Sequence, residues 1–241
     1  MKRIALLWIA LSAVAGLGAA APPPAILKIS LPTPGTTALA VLDARPDVVN
    51  GERKETFIGF TRSLYGIPYP AHTASRKPLA QDLSDLVTRA LKLGGTPVQA
   101  ITASPSKGRE GAIKSLQSRG ADRLVLIEIR DWWSDTLIHT DLHYDLALTV
   151  LNAQGQELGS STTTGHDELG RRQRPERRDV PTATNDIFTT LLTADKVTAS
   201  FSPDAAPPAK AAACTVDQIL KMKEAGLTED QIKAACGTVG G

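Results

Sequence analysis

Residues 121–152 read ADRLVLIEIRDWWSDTLIHTDLHYDLALTVLN, and the period of that stretch decides the fold class. ADRLVLIEIRDWW carries a continuous β-branched and aliphatic run, the composition of a buried strand. In the second half, Ile138, Thr140, Leu142, Tyr144, Leu146, Leu148 and Val150 alternate with His139, Asp141, His143 and Asp145. Successive side chains of a strand point to opposite faces, so the first set shares one face and the second set the other. Two long consecutive strands are predicted, with one face packed on helices and the other turned to solvent or a ligand.

The flanking sequence extends this pattern in both directions. Upstream, Ala38 to Leu42 reads as a buried strand ending in a turn around Asp43 to Asp47, and ETFIGFTRSLYGIPY as a strand or irregular hairpin. Pro78 opens a helix whose Leu79, Leu83, Leu86, Val87, Ala90 and Leu91 fall at spacings of three and four, with Gly94 past its end. Thr96 to Ala103 is a further strand, and REGAIKSLQSRG a short helix ending at Gly120. Downstream, the Ala153 to Gly155 turn returns the chain into QELGSSTTTG as another strand, and a last helix spans about Thr182 to Leu192. The prediction is an α/β domain over residues 38–201: a mixed sheet with amphipathic helices in two or three layers, partly open on one face. The strand order is left open.

The two ends of the chain have a different character. MKRIALLWIALSAVAGLGAA has Lys2 and Arg3, an apolar run from Ile4 to Leu17 and small residues before a cut near Ala20. That is the build of a secretory signal peptide over residues 1–20, and the run is short of the ~20 residues that span a bilayer. A proline-rich stretch at 21–37 is expected to be an extended tether, and an Ala/Pro stretch at 202–213 a linker. The full chain has 27 basic and 25 acidic residues, a formal charge of +2, and loss of Lys2 and Arg3 with the leader brings it to zero. A neutral chain has no global attraction for nucleic acid. RRQRPERR, from Arg171 to Arg178, is the local exception. Its Arg171, Arg172 and Arg174 are candidates for contact with an anionic membrane surface, the alternative being a solvated loop.

Cys214 and Cys236 are the only two cysteines. They flank two capping-box starts, Thr215-Val216-Asp217-Gln218 and Thr228-Glu229-Asp230-Gln231, so the segment 214–236 is predicted to be a helical hairpin too small to fold unaided. A disulfide between them would close a loop of about 23 residues, stabilising by roughly 3 kcal/mol, and export supplies the oxidising compartment. ILKMKEAGLTEDQIKA within this segment resembles the short C-terminal helical modules called SHOCT, which do not share the flanking cysteines.

Other residues are candidates for chemistry or contact. His139, Asp141 and His143 alternate on one strand face, where neighbours about 6.5 Å apart can share a divalent ion, with Asp145, His166 or Asp167 as further donors. Polar alternation on a half-exposed sheet is the competing explanation. Asp43, Arg45 and Asp47 sit at the carboxyl end of the first strand, where open α/β sheets place ligands, and can equally form an ion pair that closes a turn. Of Trp132 and Trp133, one must face the core and the other outward, the outward one being an interface candidate. The sequence contains no G-x-S-x-G, Walker, G-x-G-x-x-G or H-E-x-x-H motif.

VLDARPD, the helix ending in LGG, and ADRLVLIEIRDWWSDT with the alternating strand after it resemble the YajG-type family of small bacterial envelope lipoproteins. The likeness spans Ala38 to Leu192 and is most specific at Asp43-x-Arg45 and Asp131 to Trp133, but Gly18 to Ala21 supply no lipidation cysteine. It implies an envelope location and a non-enzymatic α/β module. The expectation is therefore a periplasmic or secreted binding or assembly module with a protein partner and no cofactor, the alternative being a metal-dependent hydrolase built on His139, Asp141 and His143.

Overall fold

The computed structural model describes residues 27–32, 35–170, 179–205, 221–225 and 228. Its elements are β1 (Thr37–Asp43), α1 (Pro46–Val49), β2 (Phe57–Arg62), β3 (Pro68–His72), α2 (Leu79–Leu93), β4 (Val98–Thr102), α3 (Gly108–Gln117), β5 (Arg123–Thr136), β6 (Thr140–Asn152), β7 (Glu157–Leu169), α4 (Val180–Thr193) and α5 (Asp195–Ala199). The seven strands form one mixed sheet. The expected α/β class, with a mixed sheet and amphipathic helices, is what the chain adopts.

β5 organises the sheet because its two edges are used differently. Along one edge β6 pairs with it antiparallel from end to end, and β7 pairs antiparallel with β6. Along the other edge, Arg123 to Ile129 pair parallel with β1, which carries β4 beyond it, whereas Ser134 to Thr136 pair parallel with β2, which carries β3. Between these segments the β5–β6 register shifts at Ile129/Asp131. An extra residue at a bulge bends the strand and sharpens its twist, which lets β5 leave one neighbour and meet another.

The helices cover the two faces unequally. On one face Leu83, Val87 and Leu91 of α2 and Ile187, Phe188 and Leu191 of α4 share a buried cluster with Val125, Ile127, Ile129, Leu146 and Leu148. On the other, Ala112 and Leu116 of α3 pack with Ala38, Ala40, Leu42, Leu124 and Leu126. α3 reaches the first part of β5 and, through Leu151 and the Arg109 bond to Thr149, the facing part of β6, so the outer face beyond them, from Asp131 to Asp135 of β5 with its partners on β6 and β7, is open among the described residues.

Three local features differ from the sequence reading. Within the stretch read as a tether, Ile29 and Leu31 are buried, the Ile29 amide donates to Ala90 O at 3.1 Å and the Ser30 hydroxyl to Gly94 O at 3.0 Å. Proline density there does not prevent two apolar residues from docking on the end of α2. α4 begins before Thr182, because Asp179 caps it by accepting from the Thr182 amide at 2.9 Å and Pro181 lies in its first turn, where a missing N–H costs nothing. α5 was not anticipated, and buries Val197 against the core cluster.

Candidate functional site

Three cross-strand rows occupy the open outer face. Register places Asp135, Asp141 and Glu168 side by side, then Trp133, His143 and His166, then Asp131, Asp145 and Thr164. In the middle row the rings stack: the Trp133 and His143 centroids are 4.3 Å apart and inclined by 3°, and those of His143 and His166 4.1 Å and 14°. Side chains opposite one another on neighbouring strands stand about 4.5–5.5 Å apart at Cβ, so the pleat itself sets the spacing of this stack. Trp132 points the other way, 5% exposed in the core. The two tryptophans therefore divide as alternation requires, Trp132 as a packing residue and Trp133 as the outward one.

Carboxylates border the stack in different surroundings. Asp135 accepts from Arg62 Nε at 2.8 Å to each oxygen, and this bonding holds its pKa below the usual carboxylate range. Asp131 is pushed up, chiefly by partial burial and also by the Asp145 charge across from it, against the opposing pull of the Trp132 amide, His143 and Arg45. Asp141 stands between two imidazoles, with His139 Nε2 3.3 Å from Oδ2 and His166 Nε2 3.6 Å from Oδ1.

The proposed trio His139, Asp141 and His143 is not brought together as a ligand set. Donor atoms of His139, Asp141 and Glu168 lie within 4.8 Å of one another, while His143 is sandwiched flat between Trp133 and His166. Its neighbour in the sheet, rather than its neighbour two residues away in the strand, fixes the ring. Glu168 takes the place that the sequence reading gave to Asp167, because Asp167 falls on the opposite face of β7.

At the same end of the sheet, two turns present large apolar side chains to solvent. Residues 63–67 close the β2–β3 hairpin through Ser63 N to Ile67 O and Gly66 N to Ser63 O, both 2.9 Å. Leu64 is 97% and Tyr65 92% exposed, with Ile67 and Tyr69 about half exposed beside them. Leu137 and Ile138 are likewise exposed in the β5–β6 turn. β2 runs parallel to β5 as far as Thr61 opposite Thr136, so both turns leave the sheet side by side. Arg62 fastens them, bonding Asp135 of β5 and, at 3.2 Å, Gly66 O of its own turn. The sequence reading missed this feature although LYGIPY carries its signal, large apolar residues around a glycine turn where polar ones are usual.

Asp43 and Arg45, candidates for contact, are internal. Asp43 is fully buried and Arg45 2% exposed. Arg45 Nε donates to Asp43 Oδ1 at 2.8 Å and its Nη2 to Oδ2 at 2.7 Å, while Nη1 donates to Phe57 O at 2.7 Å and Trp132 O at 3.1 Å. The pair closes the turn after β1 and ties it to the start of β2 and the bend of β5, so its polar atoms are occupied by the fold. Asp47 lies in the first turn of α1. Arg171, Arg172, Arg174, Cys214, Cys236 and the leader lie outside the described residues, and of the C-terminal segment residues 221–224 are helical. No described helix is long and apolar enough to cross a membrane.

No protein-family model and no curated protein matches the chain. Similar solved structures include protein XCC0632 from Xanthomonas campestris, of the family DUF330, at 16% identity over 86% of this chain and 94% of that one with a TM-score of 0.37. Lipoprotein GNA1162 from Neisseria meningitidis is 13% identical over 56% of this chain and 84% of that one, with a TM-score of 0.35. The PelC dodecamer from Paraburkholderia phytofirmans is 10% identical over 70% of this chain and 89% of that one, with a TM-score of 0.35. Likenesses at such identities and scores carry no statement about what this chain binds.

Proposed function

We propose that this chain is an exported, non-enzymatic module of the bacterial cell envelope that docks a protein partner through its two apolar hairpin tips. The observation that carries the reading is the near-complete exposure of Leu64 and Tyr65 next to exposed Ile67, Tyr69, Leu137 and Ile138. Apolar side chains gathered in one exposed place mark interaction sites, and aromatic anchors carry a large share of binding energy. A protein socket fits better than a lipid surface, because Asp131, Asp141, Asp145 and Glu168 lie on the face behind the tips and would repel anionic headgroups. The β3 edge does not offer itself for strand addition, since Pro68 and Pro70 lack the amides that a ladder needs. The partner therefore presents an apolar socket with a basic border.

The wider setting is part of the same proposal. The leader at 1–20 and the YajG-type resemblance of residues 38–192 support an envelope location, and the segment 214–236 is read as a disulfide-stapled hairpin beyond a linker. The test is site-specific photo-crosslinking in intact cells, with the crosslinker at Tyr65, at Ile138 or at Lys92 on α2. A discrete protein adduct common to positions 65 and 138 and absent at 92 is expected. Adducts to lipid at 65, or the same protein at all three positions, would refute a docking site at the tips.

A further inference from the structure

We propose that His139, Asp141 and Glu168 form a binding site for one divalent transition-metal ion, zinc in the first place, with His166 orienting the Asp141 carboxylate. The claim uses none of the apolar tip residues, and its test reads bound zinc rather than a captured protein, so its failure and that of the docking reading are distinguishable. Zinc bonds of about 2.0–2.1 Å in a tetrahedral site put neighbouring donor atoms about 3.3–3.4 Å apart. His139 Nε2 and Asp141 Oδ2 are 3.3 Å apart before any ion is placed. A Glu168 carboxylate oxygen lies within 4.8 Å of both, completing a three-donor set.

The fold supplies these donors from three different places. His139 lies in the β5–β6 turn, whose hydrogen bond from Leu137 N to His139 O measures 3.2 Å, Asp141 begins β6, and Glu168 is its direct cross-strand partner on β7. Like charges opposite one another on adjacent strands repel. A divalent cation held between Asp141 and Glu168 turns that repulsion into attraction. His166 Nε2 stands 3.6 Å from the second Asp141 oxygen, and its ring is held in place by stacking on His143. A polar group on the far oxygen of a metal-binding carboxylate fixes its orientation, and removing such a group typically costs 10–100-fold in affinity. One nitrogen and two carboxylate oxygens suit zinc, with manganese weaker by the usual order of affinities, and leave a coordination place open.

The test is calorimetric titration of zinc into the untagged mature chain, repeated in His139→Ala, Glu168→Gln, His166→Ala, His72→Ala and a Cys214→Ser/Cys236→Ser variant. One zinc per chain is expected, lost in His139→Ala and Glu168→Gln, weakened about 10-fold or more in His166→Ala, and unchanged in His72→Ala and in the cysteine variant. All the altered ligands are at the surface, so circular dichroism should remain that of the parent chain. Absence of bound zinc, zinc binding that survives His139→Ala, or binding lost with the cysteines would overturn the assignment.

Discussion

Arg45 has its guanidinium wholly inside the protein, with the Asp43 carboxylate and two backbone carbonyls as acceptors. Removing one member of a buried pair leaves the other charge without compensation and costs about 3–5 kcal/mol, whereas replacing both by apolar residues of similar size is often nearly neutral. Arg45→Met should therefore lower the urea midpoint severely, and Asp43→Leu with Arg45→Met should recover only part of the loss, since Phe57 O and Trp132 O still lose the Arg45 donor. A single variant as stable as the parent would show the pair to be dispensable. Three carboxyls nearer the surface contribute to stability in acid. Asp122, bonded first by the Thr36 amide, Asp135, bonded by Arg62, and Asp179, bonded by the Thr182 hydroxyl and amide, all have lowered pKa values. A carboxyl with a depressed folded-state pKa contributes stability above its unfolded value of about 3.9 and loses it as the pH falls through the folded value. Asp131 has the opposite sign: its raised pKa means that stability declines as pH rises from about 3.9 through the folded value. Thermal melts should accordingly find Asp131→Asn more stable than the parent at pH 7, with the advantage gone at pH 3. At this scale the sequence showed that Asp43 and Arg45 are close enough to pair and that one tryptophan points outward. It did not show which tryptophan, nor that His143 would be claimed by its neighbours across the sheet, because both depend on register between strands.

Two glycines report on how the elements fit together. Gly59 in β2 has φ +134°, and a Cβ there would fall 2.0 Å from Ser134 O on β5. Gly59→Ala should destabilise by about 1–3 kcal/mol, the usual cost of a forced backbone conformation. The loss should be local, so hydrogen exchange should quicken first at β2 and β3 amides; uniform quickening across the sheet would argue against a separate β2–β3 unit. Gly94, at the end of α2, is approached by Ile29 O at 1.8 Å from the position its Cβ would take. Gly94→Ala should therefore release residues 27–32 and expose Ile29 to proteolysis near it. The long strands and α2 were legible because each obeys one period over its whole length. The docking of Ile29 and Leu31 was not, since two apolar residues between prolines carry no periodic signal. The early start of α4 was hidden by Pro181, which reads as a breaker unless the Asp179 cap is recognised two residues before it. The fork of β5 between β1 and β2 is set by a bulge, which alternation alone does not locate.

As a whole, the molecule places its two apolar turns at one end of the sheet, at the far end of β5 from the start of β1, which pairs with Arg123. The C-terminal segment is a separate matter: if 214–236 is a stapled hairpin, mass spectrometry of unreduced peptides should find Cys214 joined to Cys236, and Cys214→Ser should leave the main melting transition unchanged. Two free thiols or a dimer linked through either cysteine would refute the staple. The central claim, that the tips dock a protein, is tested most directly by replacing the two most exposed anchors together, Leu64→Ser with Tyr65→Ser, and measuring which protein co-purifies from crosslinked cells. Leu64 and Tyr65 are 97% and 92% exposed and make almost no packing contact, so the variant should melt with the parent, a change at such sites being usually within about 0.5 kcal/mol. The account predicts an unchanged melting temperature together with loss of the protein captured at position 138. Capture of that same protein at parental yield by the Leu64→Ser/Tyr65→Ser chain would contradict it.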